Sequence, residues 1–66
     1  MFDSKHKDID VKYVEAGDWV SDRGLFRVVS GVTYDHVTKY VTLIFDHGDY
    51  LESVSYPFGT IVTIRD

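Results

Sequence analysis

Leu25-Phe26-Arg27-Val28-Val29-Ser30-Gly31-Val32-Thr33-Tyr34, joined through Asp35-His36-Val37-Thr38 to Lys39-Tyr40-Val41-Thr42-Leu43-Ile44-Phe45-Asp46, is the stretch that decides the fold. Both halves are dense in β-branched and aromatic residues with apolar side chains at a period of two, so they read as the two long strands of one hairpin. In the second strand Val41, Leu43 and Phe45 form the inward set, and Tyr40, Thr42 and Ile44 the outward set. In the first, Phe26, Val28, Val32 and Tyr34 share one face and Arg27, Val29 and Thr33 the other. Gly31 interrupts that run. An isolated glycine inside a strand marks a bulge or sharp bend, the device by which a short sheet curls over its own apolar side.

Downstream, Asp46-His47-Gly48-Asp49 is a hairpin turn with Gly48 at the left-handed position. Tyr50 to Tyr56 is a strand in which Tyr50, Glu52, Val54 and Tyr56 oppose Leu51, Ser53 and Ser55, and pattern alone leaves its register open. Pro57-Phe58-Gly59 predicts a tight or 3₁₀ turn, because proline cannot donate to a ladder. Thr60 to Arg65 closes the chain with Val62 and Ile64 inward. Upstream, turns at Ser21-Asp22-Arg23-Gly24 and Glu15-Ala16-Gly17-Asp18 bracket Trp19 and Val20. Ile9, Val11 and Tyr13 alternate as a further strand, and the charged stretch from Met1 to Asp8 reads as a frayed terminus. The expected organisation is a flexible segment 1–8 followed by a single domain 9–66. No segment has helical spacing. The fold class is therefore all-β, a small five- to six-stranded barrel with a 3₁₀ turn before the last strand.

Sixty-six residues allow one modest core, and with no cysteine neither a disulfide nor a thiolate zinc site supports it. With 44% hydrophobic and 15% aromatic residues, side-chain packing alone has to hold the domain, and Trp19, Phe26, Tyr34, Phe45, Tyr56 and Phe58 are the expected large core residues. The net charge of −4 weighs against non-specific nucleic-acid binding, which depends on neutralising phosphates. No apolar run is long enough to span a membrane, and Met1-Phe2-Asp3-Ser4-Lys5 leads into no apolar signal core, so a cytoplasmic protein without a membrane role is expected.

Few residues suggest chemistry. Asp46, His47, Asp49 and Glu52 could offer oxygen and imidazole ligands, but Asp-x-Gly-Asp is also what a hairpin turn requires of its backbone, so neither a metal nor another cofactor is assigned. His6, His36 and His47 share no spacing. The serines lack nucleophile-elbow glycines, and a barrel this small fills its interior with its own side chains, so an enzyme is not expected. What remains are the outer walls. Val29, Tyr40, Ile44, Tyr50 and Leu51 form a candidate apolar, tyrosine-rich protein-contact patch. Arg27 and Lys39 beside Tyr40 form an alternative nucleic-acid surface that would combine phosphate contact with stacking.

Gly17-Asp18-Trp19-Val20, Gly24, Arg27-Val28-Val29, the long hairpin, Pro57 and the closing Ile61-Val62-Thr63-Ile64 together resemble the SH3-like small barrels, in which five strands coil around one core. The cadence of Val41-Thr42-Leu43-Ile44-Phe45-Asp46-His47-Gly48 running into Tyr56-Pro57 resembles short uncharacterised proteins of tailed actinobacterial phages. The Ala-Leu-Tyr-Asp-Tyr stretch and paired tryptophan of peptide-binding SH3 domains are missing, which argues against a proline-rich ligand. The lack of a catalytic constellation, the acidic balance and the outward Tyr40, Ile44 and Val29 lead to the expectation of a non-catalytic protein–protein interaction module, monomeric or weakly homodimeric, which the phage likeness extends to an accessory protein that binds a host or virion component. A nucleic-acid-binding barrel and a multi-copy virion component are the two alternatives.

Overall fold

The computed structural model describes residues 6–65. Its strands are β1 (His6–Asp10), β2 (Trp19–Asp22), β3 (Leu25–Asp35), β4 (Tyr40–Asp46), β5 (Leu51–Pro57) and β6 (Ile61–Arg65), with one 3₁₀ turn at Val11–Tyr13. They form one antiparallel sheet in the order β1-β6-β2-β3-β4-β5. The all-β expectation holds. The closed barrel does not: β1 flanks β6, β5 flanks β4, and these two edges do not pair with each other.

The sheet bends at β3. Val29 pairs with Phe45 and Gly31 with Ile44, so Ser30 is the extra residue of a bulge, and its hydroxyl donates to the Ile44 carbonyl at 3.2 Å. One unpaired residue reverses the alternation along a strand. Arg27 and Val29 before the bulge therefore share the inner face with Val32 and Tyr34 after it, opposite Val20, Phe45, Leu43 and Val41. This corrects the two-face assignment from periodicity. Val29 is 1% exposed and belongs to the core, whereas Phe26 and Val28 lie on the outer side with Ser21 and Trp19.

The N-terminal region also differs from expectation. His6, Lys7 and Asp8 pair with Arg65, Ile64 and Thr63, while the rest of the segment expected to fray, Met1 to Lys5, lies outside the described residues. Val11 to Tyr13 is not a strand. Asp10 accepts the Lys12 N–H at 3.0 Å and caps the 3₁₀ turn, which brings residues three apart onto one side. Val11 and Val14 are both buried as a result, and Tyr13 faces out. The turn expected to be 3₁₀, at Pro57 to Gly59, is a simple reverse turn closed by the Thr60 N–H on the Pro57 carbonyl at 3.1 Å.

The core consists of Val11, Val14, Val20, Val29, Val41, Leu43, Phe45, Val62 and Ile64, with Ile9, Val32, Val54, Tyr56 and Phe58 packed against it. It is aliphatic rather than aromatic. Phe45 is the one aromatic ring among its fully buried members. Trp19 and Phe26 instead flank the Arg65 guanidinium, which lies 5.0 Å and 5.4 Å from their ring centres, a cation–π arrangement on the outer wall. The open register of β5 is settled by Leu43 facing Val54, which turns Glu52, Val54 and Tyr56 inward and Leu51, Ser53 and Ser55 outward.

Candidate binding groove

The inner face has two ends, and each gathers its own set of side chains. At the first end β2, the start of β3, the β4–β5 turn and the start of β5 converge. Asp22, the last residue of β2, is inward and 7% exposed, and the β2–β3 turn that begins with Arg23 follows it. Arg23 Nη2 donates to both Glu52 oxygens at 2.9 Å and to Asp22 Oδ2 at 3.1 Å. Glu52 Oε1 lies 2.8 Å from His47 Nε2, and His47 Nδ1 lies 2.9 Å from Arg27 Nη1. Arg27 Nε returns to within 3.8 Å of Asp22 Oδ2, beyond hydrogen-bonding range, and is the buried nitrogen without a partner.

Donor logic fixes the proton on the imidazole. A guanidinium only donates, so His47 Nδ1 accepts from Arg27 and Nε2–H donates to Glu52. The His47 hydrogen bond, followed by the Arg23 guanidinium, holds the Glu52 carboxyl below the usual glutamate range. The hydrogen bonds to Glu52 and Asp22 raise Arg23 in return. Burial pushes the Tyr56 hydroxyl up, with the nearby Asp22 charge adding to it. Five side chains thus bond chiefly to one another, with Arg27 Nε left without a partner, and this locks two turns together.

At the second end the 3₁₀ turn, the end of β3, the β3–β4 turn and the β5–β6 turn meet. Lys12, Tyr13, Tyr34, His36 and Phe58 line an open groove of about 350 Å³. Its parts are held from below. The Tyr34 hydroxyl donates to the Lys12 carbonyl at 2.9 Å and ties the 3₁₀ turn to β3. Phe58 N–H donates to the Lys39 carbonyl at 2.8 Å, and the Asp35 carboxylate caps the β3–β4 turn through the Val37 and Thr38 N–H groups, which lower its pKa. His36 stands between two rings, stacked on Tyr34 with centroids 6.5 Å apart and edge-on to Phe58 at 5.9 Å. The Lys12 ammonium sits 5.3 Å from the Tyr13 ring centre, and Tyr13 is 66% exposed. Among the described residues no carboxylate lines the groove.

The residues singled out from sequence are dispersed. Of the contact patch, Val29 is core, Tyr50 stacks on His47 at 4.4 Å beside the polar ring, and only Tyr40, Ile44 and Leu51 share the outer face of β4 and β5. Of the nucleic-acid set, Arg27 is drawn inward to His47, Tyr40 stands on the opposite face, and Lys39 occupies a left-handed turn position at φ 65°. His47 and Glu52 of the metal candidate meet, but Asp46 caps Gly48 N–H at 2.7 Å, and the described residues hold no group of three or more His, Cys, Asp or Glu placed to bind a metal. Among them there is also no helix long and apolar enough to cross a membrane. Sequence reading passed over the groove because it took residues 9–14 as a strand. The pair Val11 and Val14, apolar three residues apart, was the signal for a 3₁₀ turn that would present Tyr13. No protein-family model, curated protein or solved structure matches this chain.

Proposed function

We propose that this chain is a non-catalytic module that binds a protein partner, and that the partner enters the groove between Tyr13, Tyr34, His36 and Phe58 as an extended acidic segment with apolar or aromatic side chains. The observation that carries this reading is the charge of the groove. In a chain of eleven acids and seven bases, this aromatic groove is lined by a lysine and a histidine and, among the described residues, by no carboxylate. Preformed aromatic walls lower the ordering cost of binding, and a lone ammonium at the rim selects for a negative neighbour. An SH3-like architecture is the finer reading of the fold; what supports it is that β2 to β6 pack against one core, in an open sheet with β1 as an added edge and a plain turn in place of the 3₁₀ turn.

Binding to an array of random peptides tests this directly. Acidic peptides with aromatic residues should be retained, and Tyr13→Ala should weaken them at least about tenfold without altering the fold. Retention of basic peptides, or binding unaffected by Tyr13→Ala, would overturn the assignment. A single-stranded oligonucleotide that bound the groove and lost affinity steeply with salt would replace the protein partner with nucleic acid.

A further inference from the structure

We propose that the free edge of β5 is a self-association interface, at which two copies of this chain pair antiparallel around a two-fold axis. The ladder to β4 shows which backbone groups are unused. Phe58 N–H donates to the Lys39 carbonyl beyond the pair Tyr40–Pro57, and His47 N–H donates to the Tyr50 carbonyl beyond the pair Asp46–Leu51. Both pairs are therefore the non-hydrogen-bonded kind. Alternation between them turns the N–H and C=O groups of Glu52, Val54 and Tyr56 toward β4, and those of Leu51, Ser53 and Ser55 away from it. Among the described residues no strand lies on that side.

The opposite edge provides the contrast. By the same reasoning from Val11 N–H on the Thr60 carbonyl, β1 presents His6, Asp8 and Asp10 outward. Yet His6, Lys7, Asp8 and Asp10 are all ionisable, the composition by which edges resist pairing. β5 carries one charged residue, Glu52, and that carboxylate is drawn inward to Arg23 and His47. The remaining Leu-x-Ser-Val-Ser-Tyr is strand-forming and uncharged, with Leu51 62% exposed.

Self-complementarity selects a second copy as the occupant. With the axis through Ser53, each Ser53 faces its own counterpart, Leu51 faces Ser55, and Glu52 faces Val54. All three free N–H groups of each copy then find a carbonyl, and no like charges stand opposite each other. Pro57, which has no N–H, falls outside the paired stretch. The net charge of −4 on each copy opposes association at long range, so pairing should strengthen as salt is added.

Sedimentation equilibrium of the full chain over a range of concentrations, at low and high salt, tests the proposal. The expected result is a monomer–dimer equilibrium that tightens with salt. Ser53→Pro removes an outward N–H while leaving the β4 ladder intact, and it should weaken the dimer at least about tenfold with unchanged circular dichroism. Ser53→Lys is the second variant, because it places like charges face to face on the axis, and it too should yield monomer. Tyr13→Ala, which alters the groove, should leave self-association unchanged. A wild-type chain that stays monomeric at every concentration and salt, a dimer that survives both Ser53 variants, one abolished by Tyr13→Ala, or mass that grows past the dimer would each overturn the proposal.

Discussion

At one end of the inner face Asp22, Arg23, Arg27, His47 and Glu52 bond to one another; at the other, Tyr13, Tyr34, His36 and Phe58 hold a groove open. Both ends rest on the same sheet and the same aliphatic core, so packing does not explain the difference. Bond satisfaction does. Charged groups already bonded to one another, with only Arg27 Nε left over, have little to offer a ligand, whereas ring faces and a rim ammonium stay available until something covers them. The polar end serves the fold, and the aromatic end is the one proposed above to receive a partner.

The severest way to break that division is to remove what both ends share. Phe45 is fully buried between them, and Phe45→Ala should cost about 3–5 kcal/mol, comparable to the whole stability of a domain this small. Circular dichroism should show an unfolded chain in the absence of denaturant. Asp22→Ala attacks the polar end alone, leaving the half-buried Arg27 without its nearby carboxylate, and should cost about 1 kcal/mol in urea unfolding while the folded fraction still binds groove ligands. Loss of groove binding in that variant at concentrations of urea where it remains folded would merge the two ends into one unit.

Acid separates them further. Glu52 has its pKa lowered in the folded state, so its stabilising contribution is present above the ordinary glutamate pKa and disappears as pH falls through the lowered folded value. Glu52→Gln should flatten that part of the acid limb in a pH series of unfolding curves; an unchanged limb would remove the ring from the account of acid stability. Tyr13→Ala should alter unfolding free energy by no more than about 0.5 kcal/mol, since the ring lies on the surface. The smallest effect belongs to Gly31→Ala. An added Cβ would meet Ile44 Cδ1 at 3.5 Å, an ordinary contact, at a position without positive φ, so its thermal midpoint should match the parent within a few degrees.

Much of the fold could be read directly from the residues. Periodicity placed β3, β4 and β6 to within about a residue at each boundary, and Gly48 marked its turn through the positive φ of 96° it adopts. The bend near Gly31 was legible as well, but not its consequence, because Ser30 rather than the glycine is the extra residue and it reverses the phase of everything beyond it. That error carried Val29 to the wrong side and put Arg27 on a wall it does not occupy. The polar ring was illegible for a different reason: Arg23 and Glu52, or Arg27 and His47, lie far apart in sequence, and only the bent sheet brings them within 3 Å. Trp19 and Phe26 were assigned to the core by size, yet a few valines fill so small an interior and leave the largest rings to cover its outside.

Ser30 has a reach well beyond its own hydroxyl. Without that one surplus residue β3 would keep a single phase, and either Arg27 and Val29 or Val32 and Tyr34 could look inward, but never all four. Deleting it would force the chain to choose between the salt-bridged end and the aromatic one. A half-step in the backbone is what lets eleven consecutive residues serve two unlike neighbourhoods at once.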